Sequence, residues 1–364
     1  MIKARLMNKP EDFKKLGVDP QQVELWEDGK RNEPKPGYGE EYYFDAITAD
    51  GFKVVIYFHA SSPMDKIDGY TPEAGIMVTT PDGKTHSEGF LMKYAPEQIH
   101  LGTEKCDIQV GQHTAIGDFK TYDVHIEPEK GVGADLHYEA LVNPFRQGTA
   151  EVALGEHDEY FYTDLSVPKL AVTGTVSVNG QKYEINGQGY HDHQWMNISQ
   201  LQAWHHWLWG HLYTENYTVV IYDFVTSERF DFTNVPLFGV FDNQTGKLIF
   251  ETDGNIERQT KLYLQKKTQK EFPKVSNYVF KNNDGTEVKF KVEAKQEIEI
   301  RDMYGDAQPE IKQQFDAIGL KPAYVRYFAK GILTLKRDEQ EITEAGDMIY
   351  EYPYIGKEDE RANV

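Results

Sequence analysis

Cysteine is nearly absent from this 364-residue chain. Cys106 stands alone, so no internal disulfide can form and the fold must rest on its buried core. A lone thiol in this setting reads as a small buried or half-buried side chain, not as a nucleophile. Basic residues are outnumbered, 39 Lys and Arg against 59 Asp and Glu, for a formal net charge of −20. That balance argues against nucleic acid and anionic membrane faces as partners, and is read as a solubilising surface. No stretch approaches the ~18 consecutive apolar residues of a membrane-spanning helix. The opening MIKARLMNKPEDF lacks the apolar core of a signal peptide, so no transmembrane segment is expected and the cytoplasm is the expected location. A phosphate-binding loop, a dinucleotide fingerprint and a G-x-S-x-G elbow are also missing, which leaves nucleotide use and triad hydrolysis without support.

Aromatic residues are plentiful. They make up 13% of the chain, with 23 Tyr and 19 Phe, which favours strands and apolar pockets over helical bundles. The length suits two domains. Residues 1–36 read as a helical and irregular preface. Glu11 to Leu16 predicts a short helix ended by Gly17, and Asp19-Pro20 offers an N-cap and first-turn proline for a second helix through Trp26. Pro34 to Gly39 reads as a linker. From Glu41 the period becomes that of strands: Tyr42–Ala46 and Phe52–His59 flank Ala49-Asp50-Gly51, and further strands are expected at 88–94, 105–110, 118–126 and 133–142. Pro81-Asp82-Gly83, Asn179-Gly180, Gln244-Thr245-Gly246 and Asp284-Gly285 mark hairpin turns. One helix is expected from Pro309 to Gly319, with Ile311, Phe315 and Ile318 as its apolar stripe, before strands at 322–336 and 346–354. Many short strands and few short helices predict an all-β chain of sandwiches or barrels.

Chemistry-bearing residues concentrate between Gly187 and Phe224, which hold four of the five tryptophans and five of the twelve histidines. If 189–195 is extended, alternation puts His191, His193 and Trp195 on one face and Tyr190, Asp192 and Gln194 on the other. Gln202 to Tyr213 alternates in the same way: His205, Trp207, Trp209 and His211 against His206, Leu208, Gly210 and Leu212. On that reading His205 and His206 point to opposite faces. After a turn at Glu215-Asn216, Tyr217–Val225 sets Val219, Ile221 and Asp223 opposite Val220, Tyr222 and Phe224. Such aromatic faces suit a cavity for something large and apolar, or they fill a core. His191-x-His193 also has metal-ligand spacing, but no Glu follows between Gln194 and Gln202 to complete a ligand set, so no metal is expected.

The segment GQGYHDHQW at 187–195 resembles the G-x-GYHDHNWG signature of the hydroxyneurosporene synthase (carotenoid 1,2-hydratase) family, grouped with AttH-like and kievitone hydratase-like proteins. EYYFDA at 41–46, GVGADLHYE at 131–139, TGTVSVNGQKYEINGQGYHDH at 173–193, AYVRYFAKGILTL at 323–335 and MIYEYPYIG at 348–356 are similar to further strands of that family. Gln194 stands where the family commonly has Asn, and Met196 where it has Gly. The resemblance implies two lipocalin-like antiparallel β-barrels side by side, with a pocket near their junction. It divides the chain into the 1–36 segment, a barrel over 37–200 and a second over 201–364. It also implies water addition to an isoprenoid or prenyl double bond, or a related cyclisation, without a cofactor. The family's acid is a Tyr/Asp pair downstream of the signature, which here matches Tyr222 and Asp223, and the matching also implicates His193 and Trp195.

Protonating an isolated alkene needs a carboxylic acid, and an aspartate with a usual pKa near ~3.9 becomes one only when desolvation raises it. Aromatic walls supply that desolvation and shelter the cation. The candidate catalytic residues are therefore Asp223, Asp192, Tyr222 and His193, with His191, Trp195, Trp207, Trp209 and Tyr190 lining the substrate. Asp192 can instead fix an imidazole tautomer, and Asp223 can instead be an ion-paired edge residue. The expected function is a cofactor-free hydratase or isomerase acting on an apolar, isoprenoid- or polyene-like small molecule. A non-enzymatic lipophile-binding barrel and a pericyclase-type cyclase without acid catalysis are the alternatives.

Overall fold

The computed structural model describes residues 3–33, 35, 37–61, 72–89, 94–337 and 340–362. It is all-β apart from three short helices and a few 3₁₀ turns, and its strands form two curled antiparallel sheets, each a lipocalin-like half-barrel. The chain divides into two compact units, one over 6–153 and 157–200 and the other over 1–5, 154–156 and 201–364. No helix among the described residues is long and apolar enough to cross a membrane.

The first strands are β1 (Ala4–Leu6), β2 (Gly39–Thr48), β3 (Lys53–Ser61), β4 (Glu73–Thr79), β5 (Thr85–Glu88), β6 (Ile99–Leu101) and β7 (Asp107–Val110). They are followed by β8 (His113–Gly117), β9 (Thr121–Ile126), β10 (Val132–Ala140), β11 (Glu151–Leu154), β12 (Glu159–Val178) and β13 (Gln181–Met196). The main path of the first sheet runs β5-β4-β3-β2-β13-β12-β10-β9-β8-β7-β6. Its opening strand β2 pairs with its closing strand β13, so consecutive strands β5 and β6 lie at opposite edges. The curl brings β5 over β10, where Glu88 Oε2 accepts the Val132 N–H at 2.9 Å. The second unit repeats this plan with β14 (Trp204–Tyr213), β15 (Tyr217–Thr226), β16 (Asn234–Asp242), β17 (Leu248–Glu251), β18 (Ile256–Gln265), β19 (Lys270–Lys281), β20 (Glu287–Arg301), β21 (Leu320–Arg337) and β22 (Gln340–Gly356). Its order is β17-β16-β15-β14-β22-β21-β20-β19-β18, again with first strand against last.

The turns follow from local chemistry. Asn179 and Gly180 take φ of 51° and 80°, the left-handed pair that a two-residue hairpin needs between β12 and β13. The interior of the first sheet is filled by its own rings: Tyr42, Phe44, Phe58, Tyr122 and Tyr138 are all at most 1% exposed. Each contributes about 1.5–3 kcal/mol on burial.

Three expectations need correction or limits. The helix α1 (Pro10–Leu16) ends at Gly17 as read, but no second helix starts at Pro20. Asp19 caps only the Gln21 N–H at 2.8 Å, and the carbonyls of Asp19 and Gln22, which a helix would use internally, accept from Arg146 instead. A 3₁₀ turn over Leu25–Asp28 follows. Most of the strand expected at 88–94 lies outside the described residues. The helix α2 (Pro309–Ala317) forms, but its stripe sits at the surface, with Ile311 and Ile318 41% and 52% exposed.

Candidate functional site

Strand β13 is the spine of the site, and its alternation deals the signature residues to two faces. His191, His193 and Trp195 enter the interior of the first half-barrel. There Phe44 stacks on His191 at 4.2 Å, Tyr42 on His193 at 3.9 Å and Tyr162 on Trp195 at 3.6 Å. The 3₁₀ turn Leu25–Asp28 carries two carboxylates in against them, and Glu27 and Asp28 are both 0% exposed. His191 Nδ1 meets the Tyr43 carbonyl at 2.9 Å and its Nε2 meets Asp28 Oδ1 at 3.2 Å. His193 Nδ1 meets the Glu27 carbonyl at 3.3 Å and its Nε2 meets Glu40 Oε1 at 2.9 Å. Every ring nitrogen of the pair thus faces an oxygen acceptor. Tyr122 donates to Asp28 Oδ2 at 2.8 Å, and Arg146 Nε donates to Glu27 Oε2 at 2.7 Å. The H-x-H pair is absorbed in a closed, internally balanced network.

The opposite face of the same sheet carries Tyr190 and Asp192, 0% and 1% exposed. Register builds three rows across it. Ser166, Asp192, Tyr43, Tyr57 and Gly75 lie side by side on five neighbouring strands. Gln194, Glu41, His59 and Glu73 form the next row, and Tyr190 and Asp45 are paired in the third. Gln194 Nε2 donates to Asp192 Oδ1 at 3.1 Å. Gly75 is required here, since a Cβ at that position would lie 2.4 Å from Cζ of the Tyr57 ring. His59 stacks on Tyr57 at 5.0 Å, with Glu41 Oε2 2.7 Å from its Nε2 and Glu73 Oε2 3.8 Å from its Nδ1. Burial alone would lower the His59 pKa. The two glutamates overturn that and hold it at about 9.

In the second unit Tyr222 and Asp223 are separated by the same alternation. Tyr222 lies with Phe224, Trp207 and Trp209 on the face away from the apolar interior, with ring centroids 5.1–6.1 Å apart along the series. Asp223 turns inward, 1% exposed, and three donors converge on it. Asn234 reaches Oδ1 at 2.7 Å, Tyr278 reaches Oδ2 at 3.1 Å, and Arg258 forms an ion pair at Oδ2. Burial works against the Arg258 charge, but Asp223 more than compensates and its pKa is raised. The adjacent histidines depart from the alternation. A bulge between Trp204 and His206 turns His205 back, so the two Nδ1 atoms meet at 2.8 Å. His205 Nε2 donates to the Lys357 carbonyl at 2.6 Å, which leaves His206 to supply the hydrogen between the rings.

Burial pushes both imidazoles down, His205 to about 4. An unfolded histidine takes up its proton near ~6.5, so this contribution to stability is complete above that pH and is lost as pH falls toward 4. Denaturation of the second unit at pH 5 should show a loss of about 2 kcal/mol from His205 alone. A His205→Gln variant should lose that acid slope. An unchanged slope would mean that the rings are not held neutral.

Of the residues singled out in the sequence, the structure brings together His191, His193 and Trp195, then separately Tyr190 and Asp192, and in the second unit Tyr222, Trp207 and Trp209, with Asp223 alone inside. Sequence reasoning missed Glu27, Asp28, Glu40 and Arg146 in the first network, Glu41, His59 and Glu73 on the outer rows, and Arg258 beside Asp223. Only the strand-period spacing of Glu41 with Tyr43 and of Tyr57 with His59 offered a signal.

Comparison with known proteins adds the following. A profile described as the Svf1 family matches residues 93–356. None of the curated proteins matches the sequence. Among solved structures, an AttH protein of Nitrosomonas europaea superposes with a TM-score of 0.62 at 14% identity, over 93% of this chain and 98% of that one. CghA bound to Sch210972 gives 0.62 at 12% identity over 98% and 100%. Kievitone hydratase from Nectria haematococca gives 0.54 at 14% identity over 91% and 93%. At these identities the likeness is one of fold, the fold that the AttH-like and kievitone hydratase-like resemblance implied.

Proposed function

This chain belongs to the Svf1 family, and on that premise we propose that it is an enzyme of hydratase or cyclase type, acting on a double bond of an apolar, isoprenoid- or polyene-like substrate without a cofactor. The observation that carries the proposal is the row in which Asp192 sits. It is a carboxyl group 1% exposed, paired across the sheet with Tyr43 and flanked along its strand by Tyr190, with Tyr57 one strand further. A desolvated carboxyl among phenol rings is the combination that alkene protonation requires. Burial keeps water from the carboxyl, and the ring faces favour the cation that follows. Asp223 has a different setting, since Arg258, Asn234 and Tyr278 already occupy its carboxylate. Asp192 is therefore the proposed proton donor, with Tyr190 as its neighbour at the substrate, and His193 supports the strand from behind. One neighbour in fold is by name a hydratase. The container reading draws less support, because the first half-barrel is filled by its own aromatic side chains.

The test is turnover of a panel of linear isoprenoids by Asp192→Asn and Asp223→Asn. Asp192→Asn should lose at least about 100-fold in kcat with its fold intact, in line with the loss of a general acid. Asp223→Asn should lose stability but keep its rate per folded molecule. Full turnover by Asp192→Asn would sink the acid mechanism and leave a cyclase that works by shape.

A further inference from the structure

The acid step uses one row of the outer face of the first sheet and leaves the next row unexplained. That row holds Glu41, His59 and Glu73 on three adjacent strands. His59 is 8% exposed and its Nδ1 has no hydrogen-bond partner among the described residues. Glu73 Oε2 stands 3.8 Å from it, beyond hydrogen-bond length but within ion-pair reach, so the ring lies between two carboxylates and keeps one nitrogen without a hydrogen-bond acceptor. Glu41, at 2.7 Å from Nε2, fixes the ring and makes Nδ1 the nitrogen through which a proton can pass. Tyr57 stacks on the ring from the Asp192 row. Asp192 and His59 are two strands and two residues apart, about 12 Å between Cα atoms by sheet geometry. Their side chains share a face of the sheet.

Resting on the acid reading of Asp192, we propose that His59 is the second catalytic residue, the group that transfers a proton at the oxygen of the substrate, and that Glu41 is its positioning residue. The ligand at Nδ1 is a hydroxyl group or a water oxygen. In the dehydration direction the Nδ1 hydrogen passes to the hydroxyl oxygen. The C–O bond then breaks with its electron pair going to oxygen, water leaves, and the cation loses a proton from the neighbouring carbon to the Asp192 carboxylate. Hydration is the reverse: Asp192 gives its proton to carbon, a water oxygen forms the C–O bond, and its released proton goes to the neutral His59 Nδ1. Glu73, 3.8 Å from the same nitrogen, favours the imidazolium in which this donor is loaded. The protonated His59 favoured here is the form from which the dehydration direction starts, with Asp192 as the carboxylate; hydration starts from neutral His59 and protonated Asp192.

The experiment separates the two half-reactions. Farnesol is incubated with wild type, His59→Gln and Glu41→Gln, once in D₂O to read deuterium entering carbon and once in H₂¹⁸O to read label in the product hydroxyl. The expected result for His59→Gln is ¹⁸O incorporation reduced at least 50-fold with carbon exchange retained. Glu41→Gln should shift the acidic limb of the kcat/KM profile for hydration, which requires neutral His59, to lower pH. A parallel fall of both labels, or of neither, would overturn the role of His59. If the wild type labels neither position, the acid reading has failed for this probe. The present proposal is then decided by nitrogen NMR of His59, where fast exchange of the Nδ1 hydrogen with water supports it and a hydrogen as slow as that on Nε2 refutes it.

Discussion

Replacing Arg146 by methionine should destabilise the first unit by about 3–5 kcal/mol, because it leaves the carboxylate of Glu27 buried and uncompensated. The side chains of Arg146 and Glu27 are 3% and 0% exposed, and no solvent is at hand to take over the lost contact. The guanidinium also donates to the carbonyls of Asp19 and Gln22 and of its own neighbour Gly148, so a single side chain ties the 19–22 segment to the loop that carries it. Lysine cannot reproduce that fork, and Arg146→Lys should recover only part of the loss. The segment that suffers is the one that brings Glu27 and Asp28 to His191 and His193. Hydrogen exchange should accordingly accelerate first over residues 19–33 and only then across the sheet, while the second unit keeps its protection. Pairing the change with Glu27→Gln gives a double-mutant cycle. The double variant should be less damaged than the sum of the singles, since the uncompensated charge goes with it. Additive losses would mean that the two side chains act independently and that the ion pair is incidental.

This network also shows where sequence reading ends. The turns were legible because their cause is local: Asn179-Gly180 needs two left-handed residues, and those two adopt them readily. The faces of β13 were legible for the same reason, since period-two alternation belongs to any strand. That is why His191, His193 and Trp195 share one side and Tyr190 and Asp192 the other. What alternation cannot say is which face meets the interior, or what lies opposite. Glu27 and Asp28 lie just past the stretch that reads as a second helix, and their histidine partners follow more than 160 residues later. The bulge at Trp204–His206 breaks the period with no Gly or Pro to announce it, so His205 and His206 were assigned to opposite sides when they in fact touch. Asp223 carried an aspartate's chemistry in sequence, while Arg258, 35 residues on, redirects it. Local structure was readable; the pairing of charges across strands was not.

The same limit hides the second large effect, at Lys270. It sits one residue into β19 in a run of Lys, Thr and Gln that reads as a solvated turn, yet it is 1% exposed. A register shift between Leu320 and Ala323 interrupts the pairing of β21 with β22. Lys270 Nζ reaches into that irregularity and donates to the carbonyls of Lys321 at 2.7 Å, Tyr354 at 2.9 Å and Gly356 at 2.6 Å, lying 3.5 Å from the Tyr354 ring centroid. Burial lowers the Lys270 pKa to about 6, and its amino group stands in for the strand that the bulge displaced. Lys270→Met keeps the length of the stem but orphans three buried carbonyls, at about 1–3 kcal/mol each. Relief of the desolvated amine offsets part of that, for a net loss of about 3–5 kcal/mol. The loss should extend to His205, which donates to Lys357 and packs so closely that a Cβ on Gly356 would lie 1.9 Å from its ring. Denaturation followed through Trp204, Trp207 and Trp209 should show the second unit unfolding early. Amide exchange at 354–357 should rise by orders of magnitude, with the first unit unaffected. A variant that unfolds at the wild-type midpoint would mean that these carbonyls find other donors and that the lysine only fills space.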